Sequence, residues 1–144
     1  MEILISNAIK LLKDLIPIES FSFNEGKSAD RIENWFKSYN IDFKRHKNNV
    51  YAFNKYFDKS KPTILLNSHH DTVKPNKGYT NNPFESKVEN GKLYGLGSND
   101  AGGALVSLIA VFTYLYNKKE LNYNLSILAS AEEESSGYNG IGSV

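Results

Sequence analysis

Two short apolar runs, Thr63–Asn67 and Asn124–Ser130, stand on either side of a long apolar stretch that Gly102–Gly103 open and that runs to about Asn117. The flanking runs have the length of buried strands, and the stretch between them has the length of a helix. Strands alternating with helices imply an α/β fold whose sheet is at least partly parallel. The expected architecture is three layers, helix–sheet–helix, around a mixed, partly parallel sheet.

The remaining elements fit that plan. Leu4, Ala8, Ile9, Leu12, Leu15 and Ile16 recur at helical spacing until Pro17 stops them. A second helix is predicted from about Lys27 to Tyr39, with Ile32, Trp35, Phe36 and Tyr39 on one face. Ile41–His46 and Val50–Asn54 read as short strands around the turn-forming pair Asn48–Asn49. Glu85–Glu89 and Lys92–Gly95 flank Asn90–Gly91, the strongest hairpin signal in the chain.

Composition removes several classes of function. A formal charge of +1 provides no global field for gathering nucleic acid or an anionic membrane, so neither partner is expected. With no cysteine, disulfides and thiolate metal sites are excluded, and any metal must rest on His, Asp and Glu. The N-terminus lacks the basic start and apolar centre of a secretory signal. The run around Ala104–Leu115 is too short and too polar to span a bilayer. A cytoplasmic location is the default expectation.

Three polar clusters stand at ends of predicted strands or in loops, where open α/β sheets place their ligands. The first is Ser68-His69-His70-Asp71-Thr72. In extended backbone His69 and Asp71 share a face while His70 points away, and a carboxylate beside a histidine ligand commonly fixes its ring. The same pattern also suits a local hydrogen-bonding turn. The second runs from Gly95 to Gly103 and contains Asp100. It has no Lys-Ser/Thr ending for a phosphate loop; Asp100 is either a functional carboxylate or a cap for the following helix. The third is Glu132-Glu133-Glu134, directly after a strand. Consecutive acids commonly form a solvated loop, yet neighbours here face opposite ways, so one can bind a metal while the other moves protons.

Together the clusters supply an imidazole, a carboxylate able to bridge, and a paired Glu–Glu. That donor set suits zinc, cobalt or manganese. Two such ions about 3.5–4 Å apart clamp a water and lower its pKa, producing a nucleophile for an amide carbonyl. A free Glu can take the water's proton and deliver it to the leaving amine.

The order of these pieces resembles the zinc metallohydrolases that include acetylornithine deacetylase, succinyl-diaminopimelate desuccinylase, aminoacylase and glutamate carboxypeptidase. The matching residues are His69-x-Asp71-Thr72-Val73, Pro83-Phe84, Gly91-Lys92-Leu93-Tyr94-Gly95-x-Gly97, Asp100 with Gly102-Gly103, and Glu133-Glu134. The resemblance implies that His69 binds one metal, Asp100 bridges both and Glu134 binds the second. It makes Glu133 the general base and Asp71 the residue that orients His69, and it implies a cis peptide at Asp100–Ala101. Lys74 between Val73 and Pro75, Leu96 for a frequent Arg, and Gly102 for a common Lys depart from the pattern without removing a ligand. The His-His-Asp-Thr-Val-Lys-Pro run is most similar to the acetylornithine (or acetylcitrulline) deacetylase branch. The implied reaction is hydrolysis of a small N-acyl amino acid such as N-acetylornithine, with a dipeptidase or carboxypeptidase as the rival.

A catalytic zinc typically holds about three protein ligands. Sharing Asp100, each metal here has two. Relatives supply the missing carboxylate and histidine further along, and insert a smaller dimerising domain between them. Residues 1–144 are therefore expected to be the N-terminal part of a catalytic domain, a fragment that binds zinc weakly and turns over nothing alone, with the full-length protein a homodimer. The competing class is a truncated, non-catalytic binding module.

Overall fold

A computed structural model describes residues 2–144. In chain order the elements are helix α1 (Glu2–Leu15), helix α2 (Gly26–Ser38), strands β1 (Lys44–His46), β2 (Asn49–Phe53), β3 (Thr63–His69), β4 (Lys87–Glu89) and β5 (Lys92–Tyr94), helix α3 (Gly103–Leu115) and strand β6 (Asn124–Ser130). Four strands form a mixed sheet in the order β1-β2-β6-β3, antiparallel except for the parallel pair β3–β6. β4 and β5 form a separate hairpin, turned by Asn90 and Gly91 at φ 51° and 74°. Both values lie in the left-handed region that a type I′ turn requires.

The α/β class and the partly parallel sheet agree with the expectation from the sequence. Alternate residues of the strands, Val50 and Ala52 on β2 and Leu125, Ile127 and Ala129 on β6, join one core with the buried faces of all three helices. Leu11 of α1, Ile32 and Phe36 of α2, and Ile109 and Phe112 of α3 are fully buried there. Burying side chains of this size stabilises by roughly 1.5–3 kcal/mol each, the principal support for these elements. Among the described residues the helices gather on this one face of the sheet. None of them is long and apolar enough to cross a membrane.

Two strand expectations need correction. Thr63–Asn67 was expected to be buried, but β3 is an edge strand, and Ile64 and Leu65 are 46% and 51% exposed. An apolar run of this length does not reveal whether a neighbour lies on its second side. The turn between β1 and β2 is Lys47–Asn48 rather than Asn48–Asn49, with Lys47 at φ 56°. Asn49 belongs to β2, where its buried amide bonds the main-chain oxygens of His46 and Asn139.

The parallel pair fixes the position of the site. His69, the last residue of β3, is in register with Ser130, the last residue of β6. The segments that follow both strands therefore emerge side by side at one end of the sheet. The chain after α1 lies along the first of them, with Phe21 paired to Thr72 and Thr72 N–H donating to Ser20 O.

Candidate metal centre

His69, Asp100 and Glu134 each bring one donor atom into a group whose members all lie within 4.8 Å of one another. The last residue of β3, the wide turn before α3 and the turn after β6 contribute one side chain apiece. Asp100 does not cap α3: its dihedrals are non-helical (φ −114°, ψ 99°), and no side chain caps that helix. Its carboxylate instead lies 3.1 Å from His69 Nε2. The Asp100–Ala101 peptide is cis.

The geometry around His69 settles which nitrogen is available. Nδ1 is 3.0 Å from the main-chain oxygen of Asp71, an atom that can only accept, so Nδ1 carries a hydrogen. Nε2 then faces Asp100, with Glu133 Oε2 at 3.7 Å. Asp71 is buried and accepts from Ser22 Oγ at 2.7 Å and from the amides of Glu133 and Glu134, both at 3.1 Å; its Oδ1 is also 3.3 Å from His69 Nδ1. Burial alone would raise its pKa, but the bonds from His69, Ser22 and the two amides hold it at about 2. Glu134 is shifted upward by burial and by the carboxylates of Asp100, Asp71 and Glu133, against the pull of His69. Four carboxylates around one imidazole give the site an acidic character that suits a cation.

A metal ion held by His69 would compete with a proton. The hydrogen bond to Asp71 raises the His69 pKa to about 9; burial opposes this, and Asp100 adds to it. Below that pH the metal-free ring carries a proton on Nε2 that an incoming cation must displace. Apparent affinity for Zn2+ or Co2+ is expected to rise about tenfold per pH unit from neutrality and to level off near pH 9. Calorimetric titration across that range checks it; a flat profile between pH 7 and 9 would show that His69 does not exchange its proton for the ion.

The other histidines stand apart from the cluster. His70 is buried, and burial pushes its pKa down. With the ring neutral, Nε2–H donates to Asn48 O at 2.9 Å and Nδ1 accepts from Ser28 Oγ at 2.8 Å. His46 lies exposed on β1. The acidic run is not wholly solvated either. Glu132 is buried, and its carboxylate accepts from Asn139 N and Nδ2 at 3.0 and 2.9 Å, away from the other acids. Sequence reasoning overlooked Ser22 and the two amides on Asp71. A serine in an irregular loop carries no signal in its spacing, and main-chain donors carry none in their identity.

The family described as Peptidase family M20/M25/M40 matches residues 65–144. Among curated relatives, the LysW-lysine/LysW-ornithine hydrolase of Saccharolobus solfataricus is 35% identical over 94% of this chain and 36% of its own length. The succinyl-diaminopimelate desuccinylase of Blochmanniella floridana is 30% identical over 95% of this chain and 38% of its own length. Residues 1–144 thus span just over a third of the relatives they match. The Bacillus subtilis YXEP protein, described as a dinuclear metal-binding peptidase, has a similar fold, with a TM-score of 0.68 at 22% identity over 93% of this chain and 37% of its own.

Proposed function

The chain belongs to the peptidase M20/M25/M40 family, and from that premise we propose that it forms the N-terminal part of the catalytic domain of a two-metal amide hydrolase acting on an N-acyl amino acid. The observation that carries the reading is the convergence of one imidazole and two carboxylates within 4.8 Å, from three separate segments, at the end of the parallel strand pair. This donor set fits zinc, with cobalt or manganese as substitutes. His69 Nε2 would hold one ion, Asp100 would share its two oxygens between both, and Glu134 would hold the second. When bound, such a pair polarises the amide carbonyl and lowers the pKa of the attacking water.

The chain's own groups do the rest. Asp71, through its main-chain oxygen and its carboxylate, keeps the His69 ring in the tautomer that presents Nε2. Glu133 lies beside the cluster with its carboxylate free of the three-donor group, and takes the proton of the attacking water and passes it to the leaving nitrogen. The curated relatives are named for succinyl-diaminopimelate and for LysW-linked lysine and ornithine. The amino acids in those names all carry two amines, so the proposed substrate is an N-acylated diamino acid, and N-acetylornithine, built on the smallest of the three, is a simple case.

The test is hydrolysis by the complete protein of N-acetylornithine, N-succinyl-diaminopimelate and a dipeptide panel, before and after chelation. Acyl release that falls at least about a hundredfold on chelation and returns with Zn2+ or Co2+ is expected. Turnover that survives exhaustive chelation would remove the two-metal reading, and cleavage confined to dipeptides would move the substrate class. With two of about three protein ligands per ion, residues 1–144 alone are expected to bind Zn2+ weakly and to show no measurable turnover.

A further inference from the structure

A carboxyl group that touches no proposed ligand lies fully buried between α2 and the Glu132–Glu134 turn. Glu25 Oε1 accepts from Phe23 N at 2.8 Å and from Glu132 N at 3.1 Å, and its Oε2 accepts from Asn48 Nδ2 at 2.8 Å. We propose that Glu25 is a positioning residue for the metal centre: with Asp71 it clamps the three successive amides of Glu132, Glu133 and Glu134, and so sets where Glu133 and Glu134 carry their side chains. The inference rests on the reading of His69, Asp100 and Glu134 as ligands.

The simplest alternative is that Glu25, which immediately precedes α2, serves only that helix. Its side chain makes no capping bond there. One of its three bonds is local; the others reach residues 23 and 107 positions along the chain. A buried carboxyl is costly unless its oxygens are satisfied, so an apolar side chain would fill this space more cheaply if filling it were the only requirement. The turn's own closing bonds, Gly137 N to Glu132 O at 2.9 Å and Ser136 N to Glu133 O at 3.0 Å, leave the amides of residues 132–134 to Glu25 and Asp71. Glu132 has φ 54°, and its carboxylate is engaged with Asn139. The Asn48 amide is oriented in turn by Arg45 Nη2, which donates to Asn48 Oδ1 at 3.1 Å, so Nδ2 faces Glu25. His70 ties the β1–β2 turn to α2 through Asn48 O and Ser28 Oγ. The amides of the acid pair are thus held by Asp71, and Glu132 directly before them is tied through Glu25 to Asn48 of the β1–β2 turn, while the side chains of the pair face His69 and Asp100.

Two measurements on the full chain test this: amide hydrogen exchange by NMR, and Co2+ binding followed by its visible bands. Glu25→Ala should speed exchange at Glu132 by about tenfold or more while Ile127 in β6 stays protected, and should weaken Co2+ binding about tenfold, the low end for loss of a partner behind a metal ligand. Glu25→Gln keeps an oxygen for the Phe23 and Glu132 amides, so its Co2+ affinity should stay within about threefold of the unmodified chain. Glu134→Ala is the control. If Glu25→Ala binds Co2+ as the unmodified chain does while Glu134→Ala does not, the positioning role is overturned and the metal centre stands. If Glu134→Ala also binds unchanged, the metal reading itself falls. Should Glu25→Ala lose the β6 protection, Asn48→Ala decides: about threefold weaker Co2+ binding supports the clamp, and unchanged binding overturns it.

Discussion

Replacing Glu133 by Gln is expected to lower turnover of the complete protein by about two to four orders of magnitude while leaving bound metal nearly unchanged. Two features of the structure separate this residue from its neighbour. The Glu133 carboxylate is half exposed and lies 3.7 Å from His69 Nε2, and it stands outside the three-donor group that contains Glu134. Its amide is fixed by Asp71, so a glutamine should occupy the same position with almost the same shape. What the substitution removes is the capacity to accept a proton. Turnover measured alongside metal content by atomic absorption checks both halves. Loss of metal with the activity would exchange the roles of the two glutamates.

The second large effect is expected at Asp100. Asp100→Ala should reduce bound metal from two ions per chain to one or none, and activity should fall at least as far as in Glu133→Gln, because a single carboxylate is asked to serve both ions. Its side chain is 78% exposed and it caps no helix, so the substitution removes little packing. A thermal melt should therefore move far less than the metal content. Retention of two ions by Asp100→Ala would show that the bridge lies elsewhere.

What could be read from the letters divides along a physical line. Periodicity marked α1 and α2 to within about two residues, since each buries an apolar face at helical spacing, and the length of an apolar run opened by two glycines marked α3 as closely. Asn90–Gly91 marked its hairpin because left-handed dihedrals restrict which residues can turn there. The exposure of β3 was not legible: an apolar run records a strand's tendency to be covered, and Ile64 and Leu65 show that no neighbour covers them here. At the site, His69, Asp100 and Glu134 could be nominated because their side chains carry the chemistry. The supports could not. Ser22, Glu25 and Asn48 act through bonds to Asp71, to main-chain amides and to one another, and their contribution depends on where the chain folds back. Asp71 shows both levels at once. Its place beside His69 follows from strand alternation, but its hold on the amides of residues 133 and 134 joins segments more than sixty residues apart.

The central claim is that two cations share Asp100 between His69 and Glu134. It is tested most directly by anomalous scattering at the zinc edge from crystals of the complete protein grown with Zn2+. The expected map has two peaks about 3.5–4 Å apart, one within bonding distance of His69 Nε2, the other of Glu134, and both of Asp100. A single peak, or peaks that leave Asp100 out of contact, would contradict it.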